Sequence, residues 1–247
     1  MPSIGVIGGS GLSKYLGLDI ISSEIVQTPY GEPSAPLVIG QLAGQEIAFL
    51  PRHGHGHTIP PHLVNYRANI WVLKNAGVEN VISVAAVGSM RSELVSGELA
   101  IPTQIIDYTY SRNQTFFDGE TDPVTHVDFT QPYCQKLIDV FDKAAKTIQI
   151  DLPIGCVYAA TQGPRFESAA EVRKLINDGA HIVGMTGMPE VVLARELELC
   201  YATIAVIVNP AAGLSDGKID LSEIEAMLIK GTEKARTLIE NCIQLID

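Results

Sequence analysis

Asn209 closes an apolar run, IAVIVN, and Pro210 follows it, so a bare carboxamide stands where a buried strand must stop. At the carboxyl edge of an open α/β sheet, such a side chain faces the crevice where ligands bind. In TQGPRFES, Phe166 and Glu167 come just after a Gly-Pro turn. The ring can stack on a planar ligand, and the carboxylate can accept its hydrogen bonds. In PRHGHGHTIPPH, Arg52 stands beside His53, and an arginine fork matches the paired oxygens of a phosphate. IGGSG offers backbone amides and the Ser10 hydroxyl, a combination suited to an anion. It lacks both the Gly-Lys-Ser/Thr ending of a Walker loop and the GxGxxG spacing, so it is neither of the common nucleotide loops. Thr186 lies just ahead of Pro189, a residue favoured in the first turn of a helix. That places the threonine near a helix amino end, where the dipole favours anions.

Each piece also has a plainer reading. IGGSG can be a structural glycine turn, and Arg52 an ordinary surface arginine. Phe166 and Glu167 can be a hydrophobic staple and a carboxylate at a helix start. His53, His55, His57 and His62 invite a metal reading. Their two-residue spacing in a glycine-rich loop lacks the HExxH pattern, and no carboxylate or cysteine lies nearby in sequence, so no metal is expected. No GxSxG elbow occurs and no cysteine has a base beside it, which argues against nucleophilic catalysis.

The elements that must position these residues alternate along the chain. Strands are expected at 4–9, 46–54, 81–89, 155–163, 181–187 and 201–209, with a pair of short strands near 98–107. Helices are expected over 62–77, with Leu63, Tyr66, Ile70 and Leu73 on one side, and over 135–150, 167–179, 189–199 and 222–246. Residues 110–133 are polar and aromatic and read as a long functional loop. The expectation is one α/β domain over 1–247, a three-layer α/β/α arrangement with a mostly parallel or mixed central sheet.

With 46% hydrophobic and 18% charged residues, the 247-residue chain suits a large packed core. No segment reaches the ~20 uncharged apolar residues of a membrane span, and the amino terminus lacks the pattern of a signal peptide. A net charge of −11 argues against nucleic acid or an anionic membrane as partner. Cys134, Cys156, Cys200 and Cys242 are widely spaced, which points to a reducing cytoplasm with no disulfide framework and no zinc cluster.

Taken together, IGGSG, PRHGHGH, VNYRANIW, VAAVGS, GPRFES, GMTGMPEVVLARE and NPAAG occur in this order across nearly the whole chain. The combination resembles the trimeric purine nucleoside phosphorylase family, most closely its methylthioadenosine phosphorylase branch. The resemblance implies metal-free, cofactor-free cleavage of a purine nucleoside by inorganic phosphate, giving free base and a pentose 1-phosphate. It implies phosphate held by Ser10, Arg52, His53, Thr186 and the Ala85–Ala86 pair, Ala86 through its backbone amide. Met185 lies under the sugar, Phe166 packs on the base, and Glu167 and Asn209 read the base edge with Pro210 and Ala211 beside them. Asn209 and His53 are the expected catalytic residues, and His57 matches a histidine near the sugar. Ala85 stands where the methylthioadenosine enzymes carry a threonine. The resemblance further implies a homotrimer, or a dimer of trimers, with the 110–133 loop reaching a neighbour.

Two positions bear on the substrate. The methylthioadenosine enzymes resemble one another in carrying aspartate at the position of Asn209. A carboxamide NH2 can donate to N7 and O6 of a 6-oxopurine but meets the adenine amino group donor to donor. Glu167 can accept from N1–H of hypoxanthine or guanine, which adenine lacks. At the sugar end, inosine phosphorylases resemble one another in a histidine that meets the 5′-hydroxyl, whereas here Leu221 stands nearest that position. An apolar residue suits a 5′-methylthio group. The expected substrate is S-methyl-5′-thioinosine. Methylthioadenosine and a plain inosine or guanosine phosphorylase are the alternatives, with a non-enzymatic nucleotide-binding protein the more distant rival.

Overall fold

The computed structural model describes residues 1–12, 17–119, 123–215 and 217–246. Its frame is a nine-stranded mixed sheet. The strands are β1 (Ile4–Gly8), β2 (Asp19–Glu24), β3 (Leu37–Leu42), β4 (Gln45–Pro51), β5 (Asn80–Ser89), β6 (Leu99–Asp107), β7 (Ile154–Ala160), β8 (Ile182–Gly184) and β9 (Cys200–Pro210). The helices are α1 (Tyr66–Asn75), α2 (Gln135–Thr147), α3 (Ala169–Asn177), α4 (Gly187–Glu196) and α5 (Leu221–Ile243).

The strand order is β2-β3-β4-β1-β5-β8-β7-β6-β9, and β9 pairs back onto β5, so the last five strands close on themselves. β4, β1, β5 and β9 run parallel, as do β6, β7 and β8. The two sets meet antiparallel at β5–β8 and β6–β9. β1 and the first six residues of β5 are buried throughout, as their unbroken apolar runs require of strands covered on both faces. β5 and β9 form the centre of the core, with Ile82, Val84, Ile204 and Ile207 withdrawn from solvent. Each such side chain contributes about 1.5–3 kcal/mol by burial.

The helices begin where local chemistry allows. Ser168 accepts from the Glu171 amide while the Glu171 side chain accepts from the Ser168 amide, a reciprocal cap that starts α3. Asn65 caps α1 by accepting from Ala68 N, so that helix starts at Tyr66 and not at His62. Pro60 and Pro61 restrict the chain ahead of it to a single 3-10 turn over Pro61–Leu63. Tyr66, Ile70 and Leu73 are buried as the spacing predicts, while Leu63, outside the helix, is exposed.

Other differences are equally local. The expected pair of short strands near 98–107 is one strand, β6. β2 and β3 were not expected from the sequence; β2 is an exposed edge strand whose residues show no buried alternation. Residues 120–122 of the 110–133 loop lie outside the described residues, and the rest of that loop carries no helix or strand. The expectation of no disulfide is overturned: Cys134, capping α2, is bonded to Cys200, the first residue of β9. A backbone hydrogen bond from Cys134 N to Tyr201 O brings the two segments together, a proximity that 66 residues of intervening sequence conceal. Closing a loop of that length removes unfolded-chain entropy worth about 4 kcal/mol. Cys156 and Cys242 are free and buried.

Candidate active site

The ends of β1, β4, β5 and β9 and the segment after β8 open onto one cavity of about 430 Å³. All six residues expected to hold phosphate line it: Ser10, Arg52, His53, Ala85, Ala86 and Thr186. Close approach of the first loop depends on Gly9. A side chain there would meet the Val84 carbonyl oxygen at 2.4 Å and Arg52 Nη1 at 2.9 Å. Thr186 is the residue before α4 and makes no capping bond there. Met188 is extended, so regular helical turns begin at Pro189, and the hydroxyl of Thr186 sits at a helix amino end.

Arg52 is not a surface arginine; it is 1% exposed. Its Nε and Nη2 donate to the two carboxylate oxygens of Glu190 at 2.6 and 2.7 Å. Nη2 also donates to Ser83 Oγ and Nη1 to the Val84 carbonyl. Five N–H groups less these four bonds leave one Nη1 hydrogen for a ligand. Burial opposes the guanidinium charge, but the Glu190 carboxylate more than offsets it and holds the pKa above the ordinary arginine value. Glu190 is itself fully buried and also accepts from the hydroxyls of Ser83 and Tyr201. Sequence reasoning passed over Glu190 as part of a helix. The available signal was a lone acid in the apolar stretch MPEVVLA, since carboxylates are rarely buried unless paired.

His53 is buried, and its Nδ1 lies 2.8 Å from the Ile59 carbonyl. A carbonyl only accepts, so Nδ1 carries the proton and Nε2 keeps a lone pair. Burial, followed by the Arg52 charge, pushes the ring down to about 4, with the Ile59 carbonyl acting in the opposite direction. At neutral pH His53 therefore offers an anion an acceptor for its O–H, not a positive charge. The His57 ring packs 4.4 Å from that of His53 and also lines the cavity. His62 instead lines a separate cavity with Tyr66 and Arg112, and His55 is exposed.

The expected base and sugar residues Phe166, Glu167, Met185, Asn209 and Ala211 also line the cavity. Glu167 is not a helix-start carboxylate, because that role belongs to Glu171. Thr161 Oγ1 donates to Glu167 Oε1 at 2.7 Å, which leaves Oε2 available to a donor on a ligand. Asn209 reaches the cavity by way of a register shift. Val87 pairs with Ile207 but Gly88 pairs with Asn209, a bulge that re-aims the end of β9. One amide hydrogen of Asn209 is donated to the Pro210 carbonyl at 2.6 Å, leaving the other free. Gly163 brings the base segment against Met185. Its φ is 62°, and a side chain there would lie 2.6 Å from Met185 Sδ.

Two expected residues lie elsewhere. Pro210 is exposed and does not line the cavity, because successive residues along a strand face opposite ways and it falls between Asn209 and Ala211. Leu221 is the first residue of α5 and is 67% exposed. Its expected place in the wall is taken by Ile219 from the preceding loop and by Ile224 and Leu228 from the following turns of α5.

Comparison with known proteins supplies the family. A family profile described as Phosphorylase superfamily matches residues 3–244. A Pyrococcus furiosus protein named 6-oxopurine nucleoside phosphorylase is 46% identical over 251 aligned residues, covering 100% of this chain and 94% of the relative. A Pseudomonas syringae pv. tomato protein named probable S-methyl-5′-thioinosine phosphorylase is 47% identical over 240 residues, 95% of each chain. Among solved structures, methylthioadenosine phosphorylase from Schistosoma mansoni in complex with adenine superposes with a TM-score of 0.94 at 30% identity, covering 99% of this chain and 92% of that one. Matched from end to end in sequence and in fold, this chain belongs to the phosphorylase superfamily.

Proposed function

We propose that this protein is a pentosyltransferase of purine salvage that cleaves 6-oxopurine nucleosides with inorganic phosphate, and that S-methyl-5′-thioinosine is its preferred substrate. The products are hypoxanthine and 5-methylthioribose 1-phosphate. The observation that carries this reading is that Glu167 and Asn209 share one cavity with both the Arg52–Thr186 cradle and the apolar wall of Ile219, Ile224 and Leu228. An acceptor and a donor match N1–H and N7 or O6 of hypoxanthine. Mispairing with adenine costs about 1–3 kcal/mol per buried contact, enough for discrimination of roughly two orders of magnitude.

In this mechanism the glycosidic bond lengthens first, placing positive charge on the ribosyl carbon and negative charge on the purine. Phosphate, held by Ser10, Arg52, His53, Thr186 and the Ala86 amide, stabilises the cation and then attacks it. The free N–H of Asn209 meets charge growing at N7 or O6, a preorganised electrostatic contribution. Phosphate is a co-substrate, and the chemistry calls for no cofactor. Among the described residues no helix is long and apolar enough to cross a membrane. We place the enzyme in the cytoplasm, a reading from which the Cys134–Cys200 bond removes the support of the cysteine pattern, and as a homotrimer, a state that light scattering of the purified protein tests.

A general 6-oxopurine nucleoside phosphorylase is the second reading. It is favoured by His57, a polar side chain in the cavity able to bond a 5′-hydroxyl. Phosphate-dependent release of base from methylthioinosine, methylthioadenosine and inosine decides between them. The proposal expects the highest kcat/KM for methylthioinosine. Faster methylthioadenosine cleavage overturns the base assignment, and faster inosine cleavage moves the enzyme to the second reading.

A further inference from the structure

We infer that Arg112 is a positioning residue that fixes the base-reading segment against the sugar and phosphate segment, so that the two ends of the substrate are held at one separation. The inference rests on the phosphorolytic reading above. Arg112 comes from the irregular 110–133 loop and does not line the reaction cavity. Its guanidinium bonds to backbone carbonyls of the two segments that lead to Glu167 and to Thr186 in that cavity. Nη2 donates to the Gln162 carbonyl at 2.7 Å and the Thr161 carbonyl at 3.3 Å. Nη1 donates to the Met188 carbonyl at 2.6 Å and the Met185 carbonyl at 3.0 Å. Nε donates to Gln162 Oε1 at 3.1 Å, and the guanidinium lies 5.5 Å above the ring centre of Tyr66.

The two segments need such a tie. They leave β7 and β8 side by side, joined by Thr161 N to Gly184 O. Beyond that bond they touch at Gly163 and Met185, and one runs on to Phe166 and Glu167, the other to Thr186. A purine nucleoside poised beside phosphate spans both. A five-donor planar fork can bridge carbonyls of two chains at fixed spacing, whereas an ammonium cannot. The hydrogen bonds named above include no carboxylate partner, which points to geometry rather than charge pairing as the role of this side chain. Misplacing reacting groups by about 1 Å costs roughly 100-fold in rate.

The test measures turnover of methylthioinosine with phosphate, and separately the binding of hypoxanthine alone and of phosphate alone, in wild type, Arg112→Ala and Arg112→Lys. Arg112→Ala is expected to lose about 100-fold in kcat. Each single ligand should keep its affinity within about threefold, because most phosphate contacts (Ser10, Arg52, His53 and Ala86) and the Asn209 contact to the base come from elements that Arg112 does not touch. Guanidinium at millimolar concentration should restore much of the lost rate, entering through the neighbouring cavity of about 280 Å³ that Arg112 lines; methylammonium should not. A kcat within threefold of wild type, equal rescue by both cations, or parallel loss of both single-ligand affinities without rescue overturns the inference. If Arg112→Ala does not fold, Arg112→Lys decides: at least about tenfold loss of kcat with near-normal single-ligand affinities supports it, and full activity overturns it. A wild-type protein that releases no base removes the functional reading itself, whereas an active wild type with indifferent variants removes only the role of Arg112.

Discussion

Glu190 grips Arg52 through both carboxylate oxygens, and the two residues are all but lost to solvent, at 0% and 1% exposure. Removing one partner strands a buried charge. Glu190→Ala is therefore expected to cost about 3–5 kcal/mol and to lower the melting temperature by about 10 °C or more. A double replacement by apolar residues of similar volume, Arg52→Met with Glu190→Met, removes both charges and should recover part of that stability, the Ser83 and Tyr201 hydroxyls and the Val84 carbonyl losing these partners, while phosphorolysis stays lost. Calorimetry and a phosphate-dependent assay on the three variants separate the two roles. A double variant that is as unstable as the single one contradicts the charge argument.

Asn209 tests the base assignment directly. Asn209→Ala should lower kcat by about 100-fold or more, the usual cost of losing a donor at a developing negative charge, while KM for phosphate changes little. Asn209→Asp should raise the ratio of methylthioadenosine to methylthioinosine cleavage by at least about tenfold, because a protonated carboxyl can donate to N7 without opposing a 6-amino group by a second donor. An unchanged ratio means the base is read elsewhere.

Most of the site residues lie in punctuated strand ends, and this is why they were legible. Ser10, Arg52 and Thr186 each follow an apolar run cut by glycine or polar residues; parallel pairing brings the β1 and β4 ends to one edge, antiparallel β8 delivers Thr186 to it from the other set of strands, and Ala86, inside β5, was legible only through the family resemblance. What stayed hidden depends on distant pairing. The Arg52–Glu190 bond joins residues 138 apart, and the Cys134–Cys200 bond joins residues 66 apart. The β9–β5 pairing that closes the second half of the sheet is likewise non-local. β2 has little buried face to impose a pattern, so its six residues carry no strand signal.

The neutral His53 makes stability pH-dependent. Its folded pKa is about 4 against an ordinary 6.5. Between these values the unfolded chain takes up a proton that the folded chain refuses. Its contribution is intact above pH 6.5 and is lost as pH falls toward 4, on the order of 3 kcal/mol in total. His57, lowered by burial and by Arg52, acts in the same direction. Thermal melts across this range should show a steeper acid loss for wild type than for His53→Asn, whose amide can still donate to the Ile59 carbonyl. Saturating phosphate should flatten the wild-type slope, since a bound anion beside Nε2 favours the protonated ring. Identical slopes for the two proteins without phosphate would show that the ring titrates normally.

Selectivity at the 5′ end should reside in Ile224 and not in Leu221. Ile224 lines the cavity, while Leu221 stands in solvent at the start of α5. Each buried methylene or methyl-sized group is worth about 0.8 kcal/mol, or roughly fourfold in kcat/KM. Ile224→Asn removes apolar wall and introduces a hydrogen-bonding group. It should therefore lower the preference for methylthioinosine over inosine by at least about tenfold, through loss on the thio substrate and gain on the hydroxyl one. Leu221→Ala should leave both kcat/KM values and the melting temperature essentially unchanged, because the helix is already capped by Asp220 and alanine is a strong helix former. If Leu221→Ala changed the ratio and Ile224→Asn did not, the apolar wall would have to be rebuilt around the first turn of α5, and the methylthio preference would lose its structural support.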